Sequence, residues 1–297
     1  MNQPSTAVAA VKINTSAEPS NVRALWIFIC RHTTMVVGGC IIGLLVLAAL
    51  AAPLFAGDPL TMDPSIRLRP PSAQFWLGTD QLGRDVFARV VYGARVSLQV
   101  GLLVALAAVT VGTLIGLIAG YFRWADAILT RLMDGFMAIP AILLAIAMVA
   151  LLGASIFIVI LAIMLPEIPR VVRLVRSVVL SVRDMPYVEA VRAGGTRLHM
   201  ILGRHILPST IAPLIVQGTY ICAAAILLEA ALSFLGAGVP PETPTWGNMI
   251  AQSRSFLPRA PWTVFAPGLA LAIVVLSVNL FGDGLRDYLD PRATRRS

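Results

Sequence analysis

Charged side chains are scarce in this sequence of 297 residues: Asp, Glu, Lys and Arg make up 13% of it, whereas 58% is hydrophobic. A soluble domain usually carries about 25% charged residues and about 45–50% apolar ones. The composition therefore excludes a soluble enzyme, a nucleic-acid-binding domain and a disordered chain, and it indicates a membrane protein. The net charge of +8 does not point to nucleic acid, because basic residues of membrane proteins collect in their cytoplasmic loops.

Lysine is almost absent, since Lys12 is the only one among 23 basic residues. A phosphate-binding P-loop needs a glycine-rich loop that ends in Gly-Lys-Ser/Thr, and Lys12 is followed by Ile13. The sequence therefore excludes ATP hydrolysis through a P-loop of this chain.

Motifs for metal binding are lacking as well. The sequence contains no HExxH zinc motif, and its histidines do not sit in facing pairs within apolar segments: His32, His199 and His205. The cysteines show no CxxC spacing and predict small core residues rather than a disulfide or metal framework: Cys30, Cys40 and Cys222. We expect no metal and no cofactor in this chain.

Long apolar stretches fill most of the sequence. Five contain no Asp, Glu, Lys or Arg: 33–57, 96–122, 135–166, 205–228 and 260–282. About 20 helical residues cross the roughly 30 Å hydrocarbon core, so four stretches predict one span each. The stretch 135–166 is too long for one span, and we divide it at Gly153-Ala154-Ser155. The first part then begins near Ala127, and the second continues past Pro166 to about Arg176. The prediction is an all-α polytopic membrane protein with six helices, or five as the alternative.

The arginines predict the orientation. With six spans and a cytoplasmic amino terminus, the inside segments hold 16 basic residues and the outside segments hold 7, which favours both termini inside. The beginning lacks the basic start and short apolar core of a secretion signal. The predicted organisation is as follows: a flexible cytoplasmic tail at 1–22, a first membrane helix within 23–57, an extracytoplasmic connector at 58–94, a core with five membrane helices at 95–292 and a cytoplasmic tail at 293–297.

Small residues recur at four-residue spacing in the second span. Gly112, Gly116 and Gly120 follow Ala108 on one stripe of the helix. Small residues let helix backbones approach closely in lipid, where no hydrophobic force drives association. We predict tight helix packing along this stripe, against a helix of this chain or of another.

Three acidic residues fall at membrane depth, where ionisable groups are costly. Asp134 follows Arg131 by three residues and Glu167 precedes Arg170 by three, so local ion pairs explain both. Glu229 has no basic neighbour in the sequence. It either forms hydrogen bonds to a neighbouring helix or lines a polar pathway through the bilayer.

The most informative segment is the loop 184–208, on the arginine-rich side. Asp184 can cap a helix whose first turn contains Pro186. Gly194-Gly195 ends that helix, and Thr196 can cap the next one. Two amphipathic helices are expected, the first with Tyr187, Val188 and Val191 on its apolar face and the second with Leu198, Ile201 and Leu202.

This loop resembles the EAA-type cytoplasmic loop of bacterial ABC-importer permeases. Glu189-Ala190, Gly195 and Leu207-Pro208 match it, while Val191 replaces the third Ala and His205 replaces an Ile. Other segments resemble the second permease subunit of dipeptide, oligopeptide and nickel importers: FWLGTDQLGRDVF at 75–87, LLEAALSFLGAGVPPETPTWGNM at 227–249 and FGDGLRDYLDP at 281–291.

The resemblance implies half of a translocation pathway in the bacterial inner membrane. It implies as partners a second homologous permease, two cytoplasmic ATPase subunits that bind ATP and Mg²⁺, and an extracytoplasmic solute-binding protein. The loop would dock into a cleft on an ATPase subunit through these residues: Tyr187, Glu189, Ala190, Val191, Gly195, Leu207 and Pro208. We expect the outside segments Phe75–Arg89 and Leu235–Asn248 to face the binding protein. Short peptides are the expected solute, nickel is the alternative, and a self-sufficient ion-coupled transporter is the competing class.

Overall fold

The computed structural model describes residues 32–289 and consists of helices joined by turns, with no strand in that range. The predicted all-α membrane fold is confirmed. The helices are α1 (Thr33–Phe55), α2 (Val86–Tyr121), α3 (Arg123–Ala138), α4 (Ala141–Leu152), α5 (Ile156–Val182), α6 (Pro186–Ala193), α7 (Leu198–Phe234), α8 (Trp246–Ser253) and α9 (Trp262–Leu289). The predicted tails at 1–22 and 293–297, and the start of the first predicted span, lie outside the described residues.

A helix or a helix pair coincides with each of the six predicted spans. Four helices, α1, α2, α7 and α9, are long and apolar enough to cross a membrane, and α3 with α4 would make a fifth span if the pair is counted as one. The remaining helix, α5, has 27 residues, enough to cross, but it carries Glu167, Arg170, Arg173 and Arg176.

The predicted span from near Ala127 is not one continuous helix. The structure places two helices there, α3 and α4, which meet at an angle of 84°. The break falls at Ile139-Pro140, where Ile139 has an extended backbone with φ −90° and ψ 125°. Proline disfavours a helical conformation of the residue before it and cannot donate a backbone hydrogen bond. By contrast, the turn predicted at Gly153-Ala154-Ser155 is present, and the Ser155 hydroxyl caps α5 by accepting the Ile158 N–H.

The helices form a bundle with two distinct ends. We call the end that carries residues 183–200 the loop end, and the opposite end, formed by residues 56–85 and 235–261, the connector end. Helices α2 and α7 lie centrally, and α2 packs on α5 as well as on α7. Helices α1 and α9 pack against each other, and the His32 and Tyr288 rings meet 5.2 Å apart at the loop end. Both ends of the described chain therefore lie on the same side of the bundle.

The glycine stripe of α2 lies against α5 of the same chain. A side chain added at Gly112, Gly116 or Gly120 would place its Cβ 2.5–2.7 Å from the Cβ of a valine. Those valines are, in the same order, Val171, Val175 and Val179. The numbers on both helices rise together, so α2 and α5 run parallel, from the connector end to the loop end. This seam determines which face of α5 is buried and which is free.

Candidate functional site

The first candidate site is the short helix α6 at the loop end. Pro186 occupies the first helical position, as expected, but the residue before the helix is Met185 and no side chain caps it. The prediction that Asp184 is the cap is wrong, because its carboxylate instead approaches the Arg183 guanidinium at 3.5 Å. The helix ends at Ala193, and in the turn after it Gly195 has a φ of +75°, in the left-handed region that favours glycine. Two backbone bonds close this turn, from the N–H of Gly195 to Arg192 O and from that of Thr196 to Val191 O.

The side chains of α6 that are buried and exposed differ from the expected ones. Val188 is fully buried within this chain, and Val191 packs beside the same core. Tyr187 is about half exposed, and its hydroxyl donates to the His205 carbonyl at 3.4 Å. Glu189, Ala190 and Gly195 are exposed. The resemblance also implies that the apolar face from Tyr187 to Val191 is buried in the ATPase cleft. This is wrong for Val188, because that side chain already serves the core of this chain.

The second helix of the loop is continuous with the long helix α7. Thr196 does not cap it, because the preceding residue is Arg197 and no side-chain cap forms. The segment Ile201–Ile206 is a π-helical turn with Ile201 and Ile206 buried. The expected contact residues Leu207 and Pro208 follow at once, the first half-buried and the second exposed. A movement of the loop can thus pass directly into α7.

The loop is also joined to α2. Arg183 Nη1 donates to the Gly120 carbonyl at 2.9 Å, and Arg192 stacks on the Tyr121 ring with 5.5 Å to its centroid. About two turns earlier in α5, Arg176 Nη2 donates to Asp126 Oδ2 of α3 at 2.7 Å. Contacts of the loop with α2, and of the end of α5 with α3, therefore hold the loop in a defined position.

The connector end contains a cluster of buried charges that sequence reasoning missed. The Asp80 carboxylate accepts from Arg84 Nε at 2.7 Å and from Arg89 Nη1 at 2.6 Å. Arg84 Nη2 also donates to Gln252 Oε1, at 2.9 Å. All three charged side chains are at least 97% buried. Asp80 and Arg84 lie in the segment 75–87 and Arg89 follows it, but Gln252 of α8, which completes the cluster, is far away in the sequence.

Further hydrogen bonds tie together the two segments of the connector end. The indole N–H of Trp246 donates to Val90 O at 3.0 Å, and that of Trp262 to Thr79 O at 3.2 Å. The Asn248 amide donates to three carbonyls of the segment before α8. At the start of α2, burial raises the pKa of the Asp85 carboxyl. In the exposed turn, hydrogen bonds from Ser65 lower the pKa of Asp63.

Glu229 lies in the interior of the bundle, between α7 and α2. It is fully buried, and it accepts from the Ser233 hydroxyl at 2.8 Å and the Ser97 hydroxyl at 3.2 Å. This geometry agrees with the interpretation in which Glu229 forms hydrogen bonds to a neighbouring helix. A role in lining the pathway stays a prediction.

The other two acidic residues at membrane depth form ion pairs. Glu167 is buried and accepts from Arg170 through both oxygens, at 2.9 and 3.0 Å, as its spacing predicted. Asp134 pairs with Arg173 of α5 rather than with the predicted Arg131. Arg131 is a neighbour on the same helix, whereas Arg173 comes from a helix that crosses it.

Comparison with known proteins identifies relatives over most of the chain. Residues 112–295 match the family described as binding-protein-dependent transport system inner membrane component, and residues 20–71 match the N-terminal membrane domain of oligopeptide transport permease C. A probable peptide ABC transporter permease of Sinorhizobium fredii is 63% identical, covering 90% of this chain and 91% of that protein. A dipeptide transport permease of Alkalihalophilus pseudofirmus is 48% identical, covering 88% and 87%. A di/tripeptide transport permease of Pseudomonas aeruginosa is 42% identical, covering 92% and 93%.

Proposed function

Because the chain belongs to the family of binding-protein-dependent inner-membrane transport components, we propose that it is one of two permease subunits of an ATP-driven importer of short peptides. Relatives named as permeases for peptides, dipeptides and di/tripeptides cover most of its length. They support a peptide substrate over nickel. Its membrane helices form part of the translocation pathway, and ATP hydrolysis by other subunits supplies the energy.

The observation that carries this proposal is the exposed loop at the end of α5 and the start of α7. Its helix α6 presents Glu189 and Ala190 to solvent, while Val188 anchors it to the core. A short helix between two long ones can pass a rigid-body movement to both. Since the sequence contains no P-loop, we assign ATP and Mg²⁺ to two separate ATPase subunits, one of which docks here.

This assignment places the loop end in the cytoplasm and the connector end outside. The His32 and Tyr288 rings lie together at the loop end, which supports both termini inside. The arginine excess of the loop side supports the same orientation. We propose that the extracytoplasmic binding protein docks on the connector end.

The coupling role is tested with Glu189→Lys in the complete complex, reconstituted with its second permease, ATPase subunits and binding protein. We expect ATP-dependent uptake of a labelled dipeptide to be lost while the amount of chain in the membrane stays normal. The reason is that Glu189 is exposed, so its replacement alters the docking surface and not the packing. The same measurement includes the ATPase rate and its stimulation by the loaded binding protein.

Asp287→Lys is the matched control, because it makes the same charge change at an exposed position of α9 near the loop end. This variant should transport normally. Normal uptake by Glu189→Lys would contradict the coupling assignment. Dipeptide uptake by the chain alone, under an ion gradient and without ATPase, would favour a secondary transporter instead.

A further inference from the structure

Helix α5 has an exposed face that carries charged and hydroxyl side chains, whereas the large exposed side chains of α1 and α4 are apolar. We propose that the half of α5 nearer to the loop end, its inner half, lines a water-filled part of the pathway and contacts the zwitterionic peptide as it passes. This proposal rests on the importer function above. The face consists of Arg170, Arg173, Ser177 and Ser181. All four residues are exposed, and 56% and 51% of the Arg170 and Arg173 side chains are accessible.

The rotation of α5 follows from its seam with α2. Val171, Val175 and Val179 are fully buried against the glycine stripe. At about 100° per residue, Arg170, Ser177 and Ser181 lie on a line well away from that seam. The same line continues towards the connector end through Ile163 and Val159, which are fully buried, and α4 packs against that half of α5. The face is therefore covered in its outer half and open in its inner half.

Arg170, at one end of the open face, lies within the depth of the membrane. Val171, next to Arg170, is level with Gly112, which precedes the end of α2 at Tyr121 by nine residues. At 1.5 Å per residue, this level is about 14 Å from the end of the helix. α2 itself carries no charged residue between Arg95 and Arg123. Arg170 therefore lies at the depth of an uncharged segment, on the side of α5 that faces away from α2.

Lipid is an unfavourable neighbour for such a face. An arginine at the centre of a membrane helix costs about 2.5–3.5 kcal/mol on the insertion scale. By contrast, Leu114 and Ile118 of α2 are exposed and apolar at a similar depth, and the exposed Thr110 donates its hydroxyl to Leu106 O of its own helix. Burial against the second permease would desolvate two ion pairs, which costs several kcal/mol per ion. The exposed side chains of α5 are therefore most favourably placed in contact with water.

A cavity adjoins the exposed face. Leu174, beside the line of exposed residues, borders a cavity of about 440 Å³ that opens between α5, α7 and α9. Gln217, Tyr220 and Arg286 contribute its polar groups, and the Tyr220 hydroxyl donates to Asp283. The exposed face and the cavity therefore lie side by side in this half of α5.

The charges of this surface suit a zwitterion. Arg170 pairs with Glu167, and Arg173 pairs with Asp134, so each cation has an acidic neighbour. A lining without excess charge binds neither terminus of a peptide tightly. Conduction requires this property, because a solute must leave as readily as it enters.

The experiment measures aqueous access to cysteines placed on α5 in the complete complex in inside-out vesicles. Ser177→Cys and Ser181→Cys are nearly isosteric, and Ile118→Cys is the control at the depth of Ser177 on the exposed face of α2. A charged, membrane-impermeant thiol reagent is added, and modification is read at each position by peptide mass, so the native Cys30, Cys40 and Cys222 do not interfere. Since the thiolate reacts and needs water to form, we expect both serine positions to react at least about tenfold faster than position 118.

Saturating amounts of a transported dipeptide should slow the reaction at position 177, and a free amino acid that is not imported should not. Equally slow reaction at positions 118, 177 and 181 would overturn the proposal. The proposal would also be overturned if positions 177 and 181 reacted fast in the chain alone but slowly in the complex without peptide. The second permease would then cover the face. Failure of peptide uptake by the unmodified complex would contradict the importer function, and the labelling pattern would still report whether the face meets water.

Discussion

The connector end and the loop end use charged residues in opposite ways. At the connector end, Asp80, Arg84 and Arg89 are buried and bonded to one another and to Gln252. At the loop end, Glu189 and Arg197 are exposed, and the loop is held by Val188 and by contacts to α2. The difference indicates that one end maintains a fixed geometry, while the other presents a surface to a partner.

The energetics of the two ends differ accordingly. Removal of one partner from a buried ion pair leaves an uncompensated charge in a medium of low dielectric constant, whereas an exposed charge remains solvated. Substitutions at the connector end should therefore act first on folding. Substitutions at the loop end should act first on transport.

The largest effect is expected for Asp80→Asn. Two buried guanidinium groups would lose their only carboxylate, so the free energy of unfolding should fall by about 3–5 kcal/mol. The measurement is thermal unfolding of the purified complex, followed by tryptophan fluorescence. The control is Asp63→Asn, because that exposed carboxylate caps a turn through Ser65 and an amide oxygen can replace it; it should change stability by less than about 0.5 kcal/mol. Similar stability of the two variants would remove the contrast between the ends.

A smaller effect is expected at Glu229, within the bundle. Glu229→Leu leaves the hydroxyls of Ser97 and Ser233 without their acceptor, which should cost about 1–3 kcal/mol. Glu229→Gln keeps an acceptor oxygen and should cost less than about 1 kcal/mol. Uptake should follow the same order, with Gln less impaired than Leu. Full activity and stability of both variants would show that this residue is dispensable.

The smallest change in stability is expected in the loop, where transport should respond more strongly. Gly195→Ala forces a side chain into a backbone with φ of +75°, at a cost of about 1–2 kcal/mol. Gly194→Ala is the matched control, because Gly194 has φ of −72° and an added Cβ would meet only ordinary contacts at 3.5 Å. Hydrogen exchange of residues 186–200 and peptide uptake are measured for both. Equal behaviour of the two variants would contradict the requirement for a left-handed residue at this turn.

Local patterns in the sequence predicted much of the structure. Charge-free stretches predicted the membrane helices, since burial in lipid depends on composition over about 20 residues. Gly153-Ala154-Ser155 and Gly195 predicted turns, because a left-handed residue or a capping hydroxyl acts on its own backbone. Pro140 carried an equally local signal for the bend between α3 and α4, which the division into spans overlooked. The predicted caps Asp184 and Thr196 were wrong, because several conformations compete for such side chains.

The sequence by itself determined that this protein crosses a membrane through helices, that its loop 184–208 has a turn at Gly195, and that it carries no P-loop. These properties depend on residues close together in the chain. Tertiary structure alone decided that Val188 faces the core, that Asp80 and its arginines meet Gln252 of α8, and that α5 turns Arg170 and Ser177 outward. Arg84 and Gln252 are 168 residues apart, and only the packing of whole helices brings such groups together or separates them from lipid.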